Sequence, residues 1–152
     1  MANTQAMCTS FMGELLTGTH NFTTGTGDSF KAALFLSSAT LNAGTTVYST
    51  TGEVSGSGYT AGGVAVTNGT SPLSSNTSTT AGTAYWTPSA SIVYTSVTLT
   101  SAFNCLLIYN TSKANKAVSV HTFGDQTITA GTFTLTMPTN STSTALIRLA
   151  TT

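Results

Sequence analysis

The chain has 152 residues, a length that predicts one domain with a hydrophobic core of its own. Only 5% of the residues are charged, against roughly 25% in an average globular domain. The formal net charge of +0 provides no electrostatic attraction to nucleic acid or to an anionic membrane surface, so neither is expected as a partner.

Hydroxyl side chains take the place of charged ones. The 35 threonines and 19 serines together make 54 of the 152 residues. Threonine is branched at Cβ and fits the pleated, half-buried surface of a sheet. Because 39% of the residues are hydrophobic, the chain is expected to fold, and its composition predicts a β-protein with a hydroxyl-rich surface.

A helix of at most two turns is predicted near the N-terminus, where Thr9 or Ser10 can serve as N-cap and Gly18 can end it. Residues 1–29 are therefore expected to form an N-terminal arm or short helix, ahead of a β-sandwich domain at 30–152. The opening residues lack the basic and apolar stretches of a secretory signal, so production in a cytosol is expected. No apolar run approaches the roughly 20 residues of a spanning helix.

The apolar residues of this predicted helix form two pairs at i, i+4 spacing, which places each pair on one face. They are candidates for contact with a neighbouring protein, and they could equally close the end of the chain's own sandwich. These four residues are Phe11, Met12, Leu15 and Leu16.

From Phe30 onward the apolar periodicity changes to two, which indicates strands. Polar turn residues recur every 8 to 12 positions, as in antiparallel sandwiches and barrels. The polar, low-complexity residues 69–82 are predicted to be an exposed loop, and Ala130-Gly131 a turn. We therefore predict an all-β, antiparallel, jelly-roll-like sandwich of about eight or nine short strands. These strands are expected among the ten apolar or alternating segments at 30–36, 47–48, 63–68, 84–86, 92–99, 103–109, 117–123, 127–129, 133–137 and 145–149.

Five glycines lie within residues 52–63 and could suggest a phosphate-binding loop. A dinucleotide fingerprint needs G-x-G-x-x-G before a helix, but here the third glycine comes one residue late and a strand-like segment follows. The glycines are instead predicted to provide positive-φ positions or bulges, with Tyr59 packing onto the sheet. No cofactor is expected.

The two histidines, His20 and His121, do not complete a catalytic or metal-binding pattern in the sequence. His121 with Asp125 is the best local pair, although Asp125 fits a turn residue better than an acid of a triad. Spacing alone leaves paired carboxylates for glycoside hydrolysis open, although glycosidases usually carry more acids and aromatic residues. We predict no catalytic residue, no metal site and no enzymatic activity.

The two cysteines, Cys8 and Cys105, match no metal-binding or redox spacing. Cys105 lies in the most apolar segment of the sequence and is expected to be a buried free thiol. A bridge between the two cysteines is therefore not predicted.

Two further groups are candidates for binding. Tyr85 and Trp86 precede a proline and follow the polar loop, so their rings could form a shelf for a sugar, or they could belong to the core edge or a subunit contact. Lys113 and Lys116 occupy a predicted loop tip, which is normally only solvated but could meet an acidic partner.

Three segments carry a resemblance to a known family. The run "GEVSGSGYTAGGVAVTN", preceded by "AALFLSSATLNAGTTVY" and followed by "ITAGTFTLTMPTN", resembles small virion structural proteins of tailed bacteriophages, the capsid decoration and head-fibre-like proteins. The resemblance extends over residues 30–137, and the Ser/Thr/Asn-rich residues 69–82 depart from it. It supplies no catalytic residues.

The resemblance implies a structural protein of the virion, assembled in the host bacterial cytoplasm. The function expected from it is that of a decoration or cement protein on the shell of the major capsid protein, acting as a homo-oligomer, a trimer or a dimer. The alternative is a tail or head-fibre module that binds a host receptor or glycan through Tyr85, Trp86 and the loop at 69–82.

Overall fold

A computed structural model describes residues 2–151 and shows one short helix and eight strands. Met1, the first residue of the predicted arm at 1–29, and Thr152, the last residue of the predicted domain at 30–152, lie outside the described residues. The elements in chain order are β1 Ala6–Met7, α1 Thr9–Leu16, β2 Phe30–Leu36, β3 Val64–Val66, β4 Leu73–Ser74, β5 Thr83–Trp86, β6 Ile92–Asn110, β7 Lys116–Leu135 and β8 Ile147–Ala150.

The strands form two antiparallel sheets. The larger sheet has the order β1-β7-β6-β2-β3, and the smaller one has the order β4-β5-β8. Every strand pair in both sheets is antiparallel. The all-β, antiparallel, sandwich-like architecture predicted from the sequence is confirmed.

The centre of the larger sheet is a hairpin of two long strands, β6 with 19 residues and β7 with 20. Five shorter strands are predicted for this region from the sequence, but apart from the turn at 111–115 the structure does not contain the predicted breaks. The pairing absorbs extra residues as bulges instead, through several register shifts between β6 and β7. Ser96 and Ala130 adopt positive φ angles of 53° and 46° at two of these shifts. The predicted turn at Ala130-Gly131 is therefore wrong, because a bulge within a continuous strand occupies that position.

The core lies between the sheets and is closed by aromatic residues. Phe30 of β2 belongs to the larger sheet and Trp86 of β5 to the smaller one, and Phe22 packs between them. The ring of Phe22 stacks on that of Phe30 at 4.4 Å and contacts that of Trp86 at 4.7 Å, measured between centroids. β6 supplies the other large part of the core, with the side chains of residues 105–108 fully buried.

The glycine-rich segment turns tightly against the large sheet, as predicted. Gly58 and Gly63 have positive φ angles of 77° and 69°. A Cβ on Gly63 would lie 1.7 Å from the carbonyl oxygen of Ala32, so the close approach to β2 also requires glycine. The side chain of Tyr59 packs onto the sheet here, and its hydroxyl accepts a hydrogen bond from the Leu34 amide at 3.0 Å.

The N-terminal segment is part of the sandwich edge. β1 pairs with Ser119 and Val120 of β7, and the helix that follows contacts the same strand. The predicted helix is confirmed, but the predicted N-caps Thr9 and Ser10 are wrong, because Cys8 occupies the N-cap position without a side-chain cap. Gly18 follows the end of the helix with a φ of 66°, as its predicted role requires.

Candidate functional site

The helix α1 presents two apolar stripes with opposite surroundings. Phe11 is fully buried and its ring lies 4.9 Å from that of His20, while Leu15 is half-buried on the same stripe. Met12 and Leu16 form the second stripe and are 44% and 90% exposed. The structure therefore divides the predicted contact residues: Phe11 closes the chain's own core, and Met12 and Leu16 face outward.

An apolar groove runs between α1 and the small sheet. It encloses about 80 Å³ and has almost no polar surface. Leu149 of β8 lines this groove together with Leu15 and is 45% exposed. Its lining includes members of two groups considered as binding candidates from the sequence, Phe11 and Leu15 of α1 and Tyr85 and Trp86 of β5. The other lining residues are Phe22, Pro72, Ala84, Ile147 and Leu149.

We call the exposed apolar surface at this groove the α1 patch, defined by Met12, Leu15, Leu16 and Leu149. Leu15 and Leu149 line the groove, and the other two residues lie one helical turn apart on the neighbouring stripe of α1. Isolated exposed apolar residues are common, but several of them grouped beside an apolar groove are typical of protein contacts.

Trp86 takes the core position considered from the sequence and does not form the alternative sugar shelf. Its side chain is only 2% exposed, and its indole N–H donates to Asn68 Oδ1 at 3.1 Å and to the Thr70 carbonyl at 3.0 Å. The ring therefore belongs to the core, and its hydrogen-bonding atom is occupied. Tyr85 is half-buried on β5, in register with Leu73 and Arg148 of the adjacent strands.

A polar network holds α1 against the β6–β7 hairpin. His20 Nε2 donates to Glu14 Oε2 at 2.7 Å, while Nδ1 accepts from the side-chain amide of Asn110 at 2.9 Å. The same amide nitrogen donates to Asp28 Oδ2 at 2.8 Å. Because the Asn110 oxygen accepts from the Ser112 amide, the Asn110 side chain has a fixed orientation and selects the Nε2–H form of His20.

Both predicted contact lysines are engaged within this network. Lys116 forms an ion pair with Glu14, and Lys113 lies 3.7 Å from Asp28. Partial burial acts to raise the pKa of Glu14, but hydrogen bonds from Lys116 and His20 outweigh it and hold the pKa below its usual value. Burial is likewise outweighed at Asp28, whose pKa is lowered by hydrogen bonds from the Asn110 side chain and the Asn21 amide and by the charge of Lys113.

The two remaining carboxylates also accept hydrogen bonds from the fold. Glu53 accepts from the hydroxyls of Tyr48 at 2.6 Å and Tyr59 at 2.7 Å, and from the Gly62 amide at 2.7 Å. Asp125 accepts from Ser37 and Asn104 at 2.7 and 2.9 Å. The Glu53 cluster was not predicted from the sequence, although Tyr48, Glu53 and Tyr59 lie close together in one turn-rich segment.

His121 and Asp125 do not form the pair considered from the sequence. His121 Nε2 is bonded to the Ser119 hydroxyl at 2.8 Å, and burial lowers the pKa of His121 to about 4. Asp125 lies within β7 and not in a turn, so its predicted role as a turn residue is wrong. His121 instead lines an open cleft of about 470 Å³ beside Met7, Pro138 and Arg148.

Cys105 is a buried free thiol as predicted, and Cys8 is buried and free as well. Within residues 2–151, no group of three or more histidine, cysteine or acidic side chains is arranged to hold a metal ion. The same part of the chain contains no helix long and apolar enough to cross a membrane.

Comparison with known proteins adds no relative: no protein-family model, curated protein or solved structure matches this chain.

Proposed function

We propose that this chain is a non-enzymatic structural protein of a bacteriophage virion, which binds the shell of the major capsid protein as a decoration or cement protein. The resemblance of its glycine-rich turn and its closing strand segment to small phage virion proteins supports this proposal. The α1 patch is the observation that carries it, because it offers an apolar contact surface at the edge of a rigid sandwich.

The α1 patch is suited to a lasting protein contact. Leu16 exposes 90% of its surface and Met12 exposes 44%, and both lie on a helix whose other stripe is anchored by the buried Phe11. Burial of one such side chain contributes about 1.5–3 kcal/mol to association, before the entropic cost of binding. Repetition of this contact over a symmetric shell would add avidity without further contacts.

The hydrogen bonds and ion pairs of the charged side chains favour a binding role over an enzymatic one. All four carboxylates accept hydrogen bonds from structural groups, and the acids Glu14 and Asp28 are also paired with lysines. A general acid or base needs a carboxylate or imidazole within reach of a bound substrate. The α1 patch contains neither, so its chemistry is that of an apolar contact.

The alternative, a tail or head-fibre module that binds a receptor or glycan, has support from a different place. The open cleft of about 470 Å³ at His121 and Arg148 has a volume usual for ligand sites, which span roughly 300–1,000 Å³. Its lining includes Gln5 and Thr144, which can hydrogen-bond to a sugar. A glycan array tests this alternative directly, and a hit that depends on Arg148 would favour it.

Binding to phage particles that lack this protein tests the leading proposal. The purified protein is expected to bind them in hundreds of copies per particle, whereas a few dozen copies would indicate a tail or fibre component. Leu16→Ser combined with Met12→Ser is expected to weaken binding by about tenfold or more. The matched control Ser78→Thr changes an exposed residue of the loop between β4 and β5 and should leave binding unchanged.

The double variant should keep the wild-type melting temperature, because both substituted side chains are exposed. Binding equal to wild type in a folded double variant would contradict the role of the α1 patch. Absence of the wild-type protein from particles would contradict the proposed function itself.

A further inference from the structure

The side of β7 that faces away from β6 is paired with another strand over only a short part of its length. β6 covers the inner side from Lys116 to Leu135, but β1 covers the outer side only at Ser119 and Val120. From 121 to 135 no strand of the described chain pairs on that side. Apart from the ladder to β6, no backbone hydrogen bond joins these residues to another part of residues 2–151. The unpaired stretch is 15 residues long.

In an antiparallel strand, half of the backbone N–H and C=O groups point away from the first partner. Two backbone groups of residues 121–135 are bonded to side chains, since the Ala130 amide donates to Thr98 Oγ1 at 3.0 Å and the Gly124 carbonyl accepts from the Gln126 side chain at 3.1 Å. The other outward groups, including those of residues 132–135, have no strand partner in the described chain. Natural edge strands are normally kept from pairing by lysine, proline, short length or a covering loop. This edge has none of the first three, since its sequence "HTFGDQTITAGTFTL" contains no lysine, arginine or proline.

The other edges of the described sheets do not share these properties. β3 and β4 have three and two residues, and β8 carries the exposed Arg148. On the far side of the hairpin, β6 is bridged to Ser57 through Thr98, and the Ala102 carbonyl accepts from the Ser37 amide. The edge strand β1 has only two residues, so among the described strands the open side of β7 is the longest pairing edge.

The end of this edge is its most regular part. The bulge at Ala130 interrupts the strand, but beyond it Phe133, Thr134 and Leu135 pair in unbroken register with Tyr94, Val93 and Ile92. The ring of Phe133 lies 5.2 Å from those of Phe103 and Phe123, so the backbone here is anchored in the aromatic part of the core. A rigid, regular strand loses little conformational entropy when it pairs.

The side chains of this segment are self-complementary. Thr132 and Thr134 are exposed and share one face of the strand, while Phe133 and Leu135 are half-buried on the other. A two-fold axis at Phe133 would place Thr132 opposite Thr134 of the second copy, a pair that can hydrogen-bond, and Phe133 opposite Phe133, which would extend the apolar face. No charged residue lies within residues 132–135, so identical copies would bring no like charges together.

We propose that residues 131–135 of β7 pair antiparallel with the same residues of a second copy of this chain, with the two-fold axis at Phe133, so that the large sheet continues into the second copy. The occupant of the open edge is therefore a second copy and not a capsid segment. This dimer contact is separate from the α1 patch, and it does not depend on the function proposed above.

Light scattering after size exclusion tests the pairing in the full chain. The wild-type protein is expected to show twice the 15.5 kDa chain mass at high concentration. Thr132→Lys with Thr134→Lys should weaken the dimer by about tenfold or more, because cations then face each other across the axis. Thr132→Glu with Thr134→Glu should do the same, and an equal mixture of the two double variants should recover a dimer.

Recovery in the mixture shows that the variants are folded and that the segments face each other. Circular dichroism and thermal melting of each double variant confirm folding independently. The control Ser78→Lys adds a charge on an exposed loop and should leave the dimer intact. A wild-type protein that stays monomeric at millimolar concentration would overturn the proposal, as would a dimer that persists in both double variants or one that only Leu16→Ser disrupts.

Discussion

His20 Nε2 donates a hydrogen bond to Glu14 Oε2 across 2.7 Å, and this bond joins the helix to the segment that follows it. Asn110 and Lys116 connect the pair to the central hairpin. The His20 side chain is fully buried, while that of Glu14 is 16% exposed and also pairs with Lys116. A helix of only eight residues is marginal by itself in water. The ion pair and the buried histidine therefore contribute to holding α1, and with it the α1 patch, on the sandwich.

Glu14→Gln is expected to destabilise the protein at pH 7 by about 1–2 kcal/mol, because it removes the charge that pairs with Lys116 and His20. Thermal melting measures the loss. Lys113→Gln is the control: it removes a more exposed pair with a separation of 3.7 Å and should cost less than about 0.5 kcal/mol. Equal losses of stability in both variants would show that the Glu14 network contributes no more than an exposed surface ion pair does.

Acid is expected to destabilise the wild-type protein through the same carboxylates. Folding lowers the pKa of Glu14 and of Asp28, so their stabilisation is fully present above about pH 5 and is lost as the pH falls through the folded-state values. The melting temperature should therefore fall between about pH 5 and pH 2. The fall should be shallower in Glu14→Gln, and a parallel fall in both proteins would contradict this assignment.

Gly63→Ala is expected to destabilise the protein by about 3 kcal/mol or more, since it combines a positive φ with a contact to the Ala32 carbonyl. Gly13→Ala is the matched control in α1. A Cβ on Gly13 meets no atom within 4 Å, and alanine favours a helix over glycine by about 0.5–1 kcal/mol. Denaturant unfolding should therefore shift in opposite directions for the two variants, and a shared direction would contradict the structure.

The single tryptophan reports on the aromatic core. Because Trp86 is 2% exposed and its indole N–H is hydrogen-bonded, its fluorescence should be blue-shifted and weakly quenched by acrylamide in the folded protein. Added glycans should leave the emission unchanged. A solvent-like emission maximum, or a sugar-dependent shift, would contradict the buried position of Trp86 and favour the sugar-shelf alternative.

Both thiols should resist modification while the protein is folded. Burial raises the pKa of Cys8 to about 11, with a smaller contribution from Glu14, and burial raises the pKa of Cys105 to about 12. The thiolate is the reactive form, so a disulfide reagent at pH 8 should titrate no thiol until denaturant is added and two afterwards. Rapid reaction of one thiol in the native protein would place it at the surface.

Several elements could be predicted because their signals are local. Residues 30–36 are apolar except for Lys31 and lie between polar residues, and the structure makes them a strand with those bounds. The helix was visible in its i, i+4 apolar pairs. The glycine-rich turn was visible because its spacing failed the phosphate-binding pattern and its position between strands favoured a turn.

Other features depend on partners that are distant in the sequence. Lys116 bonds to Glu14 from 102 residues away, so its neighbours could only indicate a solvated loop. The unbroken course of β6 and β7 was hidden because each bulge shifts the apolar alternation by one or more residues. Residues 47–48, predicted as a strand, make only an isolated bridge from Val47 to Lys116.

The β6–β7 hairpin also has a consequence for the kinetics of folding. Its two strands are joined by a turn of five residues, in which Ala114 and Asn115 adopt positive φ angles of 50° and 57°. Closing so short a loop costs little entropy, whereas β1 and β2 must reach the hairpin across longer stretches of chain. We therefore expect the hairpin to nucleate the sheet and the N-terminal helix to dock late, so that the surface formed by Met12 and Leu16 is completed only at the end of folding.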